Sequence, residues 1–244
     1  MQRTWIPALF TSLAWLWSAG AGVAAANSDD APGLADPQPA DAASLDARVA
    51  ELEHALADVR PSTRTYYASW LAAMSVMAVG QAAIGLSVDD RAVRESMFLG
   101  AGLTVAGIGL LLITPSPGRY GADELRGMPA SSLADKRAKL MRGEQLLRGE
   151  AATDRFRRAW YQHVLIAALG GGVGVWLGVR YPDQVWTAAV PSAIGTIAIA
   201  ELQIWTSPKA SIDHWNRYRA GGPSLAIAPA VAPQMLGVSL QARF

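Results

Sequence analysis

Two ionisable side chains lie inside otherwise apolar stretches of the chain, His163 and Glu201. A charge held in hydrocarbon is costly, so each marks a candidate site. Together a histidine and a carboxylate can relay a proton, or hold a metal ion if further ligands join them. His163 stands early in the run Trp160–Val179 and Glu201 late in the run Trp186–Trp205, with only the short "RYPDQ" between the runs. An antiparallel hairpin turning near residues 182–183 brings both to nearly the same depth, and they are the predicted intramembrane polar pair. The competing expectation is that each reaches water separately from near a helix end.

No other residues complete a reactive centre. The chain has no cysteine, which removes thiolate nucleophiles, thiolate metal sites and disulfides together. His54 and His214 are scattered, and no HExxH, P-loop or G-x-S-x-G pattern occurs. The expectation is a protein that is not an enzyme, with no catalytic residue, no metal site, no cofactor and no identifiable small-molecule substrate.

What must position the pair is a membrane. Four runs are apolar all round: Tyr66–Ser87, Met97–Thr114, Trp160–Val179 and Trp186–Trp205. Each has about the 18–22 residues that an α-helix needs to cross roughly 30 Å of hydrocarbon. Aromatic residues sit at their ends (Tyr66, Tyr67, Trp70, Trp160, Tyr161, Trp186, Trp205), as the headgroup level favours. The overall figures of 51% hydrophobic residues and net charge +1 conceal this segregation. The near-balance of acids and bases also excludes a nucleic-acid partner and leaves membrane lipid as the partner expected.

The runs pair into two hairpins joined by "VDDRAVRES" and "RYPDQ", and the hairpins end alike, in "LLITPSPGRY" and "QIWTSPKASI". Proline cannot continue a helix, while Ser and Thr can satisfy loose backbone groups at its end. This reads as a duplicated two-helix unit whose copies enter the membrane from the same side. Gly100, Gly107, Gly174 and Gly178 are the predicted helix-packing positions, since small residues let backbones approach closely in lipid. The run "GGGVGVWLG" does not fit G-x-G-x-x-G, and no strand precedes it, so it is not a nucleotide loop.

Outside the membrane, residues 1–26 resemble a secretory signal peptide: Arg3, an apolar stretch and the small residues Ala24, Ala25 and Ala26. An uncleaved anchor of the same residues is the alternative. Residues 27–44, rich in Ala, Asp and Pro, read as a disordered tether. Leu45, Val49, Leu52, Leu56 and Val59 form an a/d seam on a short helix over 45–60, ended by Pro61. That seam is expected to associate with a second copy or pack on a neighbour. The interval 118–159 is a charged helical connector, with Ser132 and Asp135 spaced as a capping box. In the tail, 209–244, "LGVSLQARF" alternates with period two, and "SLAIAPAV" could pair with it across Pro233 and Gln234. Its terminal Phe resembles the last-strand signal of bacterial outer-membrane barrels, but the chain cannot supply eight strands.

The sequence therefore predicts an all-α membrane protein of two tandem transmembrane hairpins (four helices). An N-terminal short coiled-coil-like helix and a small C-terminal β-like tail complete it. Its expected place is a bacterial cell membrane with an exported N-terminus, or alternatively the outer membrane, and its expected role is a self-associating scaffold. A small transporter or channel with a His/Glu path is the runner-up. A signal peptide puts 118–159 outside the cytoplasm, whereas the cations gathered there call for the cytoplasmic side. Ser131→Cys in this cysteine-free chain tests the point. Labelling by an impermeant maleimide is expected once the outer membrane is permeabilised. Protection until the inner membrane is broken would reverse the orientation.

Overall fold

The computed structural model describes residues 42–114, 116–220, 225–232 and 235–242. The expected signal peptide, residues 27–41 of the tether expected over 27–44, the turn at Pro233 and Gln234 and the terminal Phe lie outside the described residues; the last three residues of that tether, Ala42, Ala43 and Ser44, are already helical, which corrects its boundary. Four helices are long and apolar enough to cross a membrane.

The first, α1 (Ala42–Ser87), corrects an expectation, because it runs through Pro61 without ending. A proline inside a helix forfeits one backbone bond and crowds the preceding turn, at about 3 kcal/mol. Here tertiary burial outweighs that cost: Val59 and Thr63 are fully buried on either side of it, and Tyr67 nearly so. The short helix and the first membrane span are thus one rod. α2 (Arg91–Ile113) returns antiparallel, started by Asp90, whose carboxylate accepts from Val93 N at 3.0 Å. A single 3-10 turn (Pro117–Arg119) and α3 (Gly121–Gly127) come next.

The second unit repeats the order. α4 (Leu133–Arg157) begins at the capping box, with Ser132 Oγ accepting from Asp135 N at 3.1 Å and the Asp135 carboxylate accepting from Ser132 N at 3.0 Å. α5 (Trp160–Arg180) and α6 (Val190–Trp205) form the second hairpin, and α7 (Ala210–Ala220) closes it. The fourth run is not α-helical throughout. A π turn over Val185–Ala189 precedes α6, and Val190 N donates to Val185 O. Pro191 then brings no N–H of its own, and the wider turn absorbs the break.

α1 and α4 run side by side in the same direction. Lys136 pairs with Asp46 at 2.6 Å, Arg48 with Glu144 at 2.8 Å, and Thr63 bonds Glu150, at sequence separations of 87 to 96. Their outer halves join α3 and α7 in a helical head whose core holds Leu52, Leu56, Leu125, Leu147 and Trp215. All five seam residues, Leu45, Val49, Leu52, Leu56 and Val59, are buried within the chain itself. Of the two fates expected for the seam, a second copy or a neighbour, it takes the second, because α4 brings its own Leu140 and Leu147 to the same core. At the C-terminus, β1 (Leu225–Ala232) and β2 (Met235–Ala242) pair antiparallel, Leu225 opposite Ala242 and Pro229 opposite Val238.

Glycine sets how close the hairpin helices come. A Cβ on Gly174 would lie 2.9 Å from Ala193 Cβ, and one on Gly170 would lie 2.4 Å from Ile197 Cγ1 and 3.0 Å from Ala193 O. Gly107 and Gly100 have Met74 and Gln81 at 2.5 and 2.8 Å, whereas Gly178 has only ordinary contacts at 3.8 Å. Gly170→Ala should therefore lower thermal stability by about 1–3 kcal/mol through forced separation of α5 and α6. Gly171→Ala, in open space, should leave it unchanged or slightly raised. Tryptophan fluorescence melts of the two variants side by side measure the contrast.

Candidate functional site

The hairpin exits carry most of the polar geometry. Thr114 Oγ1 donates to Leu110 O at 2.7 Å, and Thr206 Oγ1 donates to Leu202 O at 2.7 Å. In both hairpins the threonine satisfies a carbonyl of the last turn, and the chain then breaks at Pro. The segment beyond each break is captured by α4. Glu150 accepts from Ser116 Oγ at 3.0 and 3.1 Å, from Gly118 N at 2.9 Å and from Thr63 Oγ1 at 3.4 Å. One turn on, Asp154 accepts from Ser211 Oγ and from Arg157 Nη1 at 3.2 Å. Arg158 Nη1 donates to Ser207 O at 2.7 Å. Arg157 also donates to the Tyr67 hydroxyl, and the Arg119 guanidinium lies 4.9 Å from the centre of that ring.

Glu150 and Asp154 are both 0% exposed. Gly118 is required for the approach, since a Cβ there would stand 2.8 Å from Glu150 Oε1 and 2.9 Å from Thr63 Oγ1. Burial pushes the Asp154 carboxyl up to about 6; the Ser211 hydrogen bond opposes this, the Glu150 charge adds to it, and Arg157 again opposes it. Apart from the Arg157 contact within its own helix, the bonds of this cluster reach other parts of the chain, so it is built to join elements. Sequence reading missed it. The available signal was two acids one helical turn apart, set among Leu146, Leu147 and Ala151 on the face that should be apolar.

His163 and Glu201 are brought together. Nδ1 lies 2.7 Å from Oε2 and 2.9 Å from Oε1, a geometry that suits an Nδ1–H donating to the carboxylate. The side chains are 37% and 27% exposed, and the imidazole leans on Trp205 with ring centres 6.3 Å apart. At 1.5 Å rise per residue both sit within roughly 5–6 Å of the head end of their helices. Among the described residues no group of three His, Cys, Asp or Glu gathers as a metal site.

The two hairpins touch at their ends. On the head side Trp70 Nε1 donates to Thr206 Oγ1 at 3.0 Å and Tyr66 OH to Gln203 O at 3.4 Å. On the far side Arg180 Nε donates to Glu95 at 2.7 Å and Gln184 Nε2 to Asp90 at 2.9 Å. Between these bridges lies a cavity of about 700 Å³, lined by α1, α2, α5 and α6 and by the end of α4. Neither His163 nor Glu201 is on its wall. The chain matches no protein-family model, no curated protein and no solved structure.

A raised folded-state pKa for Asp154 has a definite sign. The folded protein binds this proton more tightly than the unfolded chain, so the contribution of Asp154 to stability rises as pH falls from 6 towards 4. Wild type should gain relative to Asp154→Asn over that interval by on the order of 2–3 kcal/mol. Denaturant melts of both proteins at pH 7, 6, 5 and 4 give the difference; a flat difference would refute the assignment.

Proposed function

We propose that the protein is a non-enzymatic membrane scaffold, in which an extramembrane helical head is held in fixed relation to two transmembrane hairpins. The observation that carries this is the Glu150–Asp154 cluster, which spends its hydrogen-bonding capacity on the chain's own exits. A catalytic site would keep acceptors and donors aimed at an open space. The cell envelope is the expected setting, on the strength of the signal-like N-terminus. The burial of the 45–59 seam removes that surface from self-association, so the scaffold reading does not rest on it.

The transporter alternative needs a polar path across the membrane. His163 and Glu201 form one shallow layer, lie off the wall of the inter-hairpin cavity and have Trp205 beside them. A partly exposed histidine–carboxylate pair of this kind contributes about 0–1 kcal/mol. Glu201→Gln should therefore assemble normally and melt within about 1 kcal/mol of wild type. Proteoliposomes of the two proteins should show the same proton permeability as empty vesicles. Flux through wild type that the substitution abolishes would replace the scaffold with a proton path.

A further inference from the structure

The cavity between the hairpins lies at membrane depth and is bridged by hydrogen bonds at both ends, with Ile199 packing across onto the Met74 and Leu111 cluster. At the head end its wall presents Gln162, Gln203, Thr153 and Arg157; deeper it is mainly apolar, with Leu103, Ile166 and Ile199, and carries the neutral polar side chains Gln81, Thr104, Ser192 and Thr196. Arg157 is the one formally charged side chain among the described residues on that wall. Two of its five N–H groups serve Asp154 and Tyr67, which leaves further donors on a guanidinium at the cavity's polar end.

Space of this size cannot stand empty without forfeiting dispersion contacts along its whole lining. At hydrocarbon depth the material able to fill it is lipid or another helix. A transmembrane helix is about 10–12 Å across and must run the full depth of the bilayer. It would have to displace the Trp70–Thr206 bridge at one end and the Glu95–Arg180 bridge at the other. A lipid chain is thin and ends within the bilayer, so it needs neither bridge broken. The volume also falls in the range of about 300–1,000 Å³ typical of ligand sites that are mainly apolar with a few placed polar groups.

We propose that this cavity is a lipid-binding site: it takes an acyl chain of a phospholipid from the surrounding bilayer, with the phosphate at the Arg157 and Gln162 end. The proposal is independent of the scaffold reading, since it concerns the membrane half and not the head.

The full chain in nanodiscs of phosphatidylglycerol, part of it bearing a diazirine in one acyl chain, is irradiated and its adducts mapped by mass spectrometry. Adducts are expected on the inward residues Leu103, Ile166 and Ile199. Gly195 lines the cavity, and a Cβ there would meet nothing within 4 Å. Gly195→Phe should therefore fill the site and lower the inward adducts roughly ten-fold. Gly102→Phe, also in open space but off the cavity wall, should leave them unchanged. A diacylglycerol with the same diazirine chain should label the site several-fold less, having no phosphate.

Adducts confined to outward residues such as Val79, Leu112 and Val175 would overturn the proposal, as would inward adducts untouched by Gly195→Phe. Equal labelling by diacylglycerol would overturn the phosphate assignment. Disulfide-linked dimers of Gly195→Cys, with no inward adducts in wild type, would also overturn it by making the occupant a second copy. The wild-type map requires no substitution, so it decides the matter even where Gly195→Phe does not fold.

Discussion

A carboxylate taken out of water must be given donors or a counter-charge, and Glu150 and Asp154 draw theirs from both hairpins. Glu150 is met by Ser116 and the Gly118 N–H beyond the first hairpin, and by Thr63 on the rod that leads into it. Asp154 is met by Ser211 beyond the second hairpin and by Arg157 at the end of its own helix. Removing any one donor would leave a buried acceptor short, a penalty of about 1–3 kcal/mol and more for a charged group. These two side chains therefore tie the head to the exits of both hairpins.

The arrangement also explains the repeated punctuation. A helix leaving the membrane exposes its last carbonyls, and a threonine hydroxyl bonded four residues back covers one of them in each hairpin. Proline then stops the helix, and beyond it Ser116 in one hairpin and Ser211, at the start of α7, in the other donate to the same stretch of α4. α1 and α4 lie parallel because each leads into its hairpin from the same side, and α3 and α7 fold back as the matching short helices. The repeat is one of element order, each long helix leading into a hairpin that ends in a short helix.

Within the membrane the balance differs. α1 with α2, and α5 with α6, pack through glycines whose Cβ positions are already occupied by neighbours. Between hairpins the hydrogen bonds gather at the two ends, where polar groups near the bilayer surfaces pair across, and Ile199 adds an apolar contact to the first hairpin. Lipid tails are as apolar as leucine, so no hydrophobic force draws the middles together. A gap between hairpins is the natural result, and the bilayer is at hand to fill it.

Hydropathy alone determined the four spans, because crossing hydrocarbon demands long apolar helices whatever the rest of the chain does. The turn at Pro182–Gln184 and the proximity of His163 to Glu201 came from a short link, which leaves the antiparallel path little choice. The capping box of Ser132 and Asp135 was legible for the same reason, being local. Only the tertiary structure decided the fate of Pro61, where burial of Val59 and Thr63 outweighs a local helix-breaking preference. It alone decided that the 45–59 seam closes on α4, α3 and α7, since an apolar stripe specifies that it will be covered but not by what. The Glu150–Asp154 cluster and the inter-hairpin cavity were beyond sequence reading for one physical cause. Both are made by segments dozens of residues apart, and no local pattern records which distant donor a buried carboxylate will find.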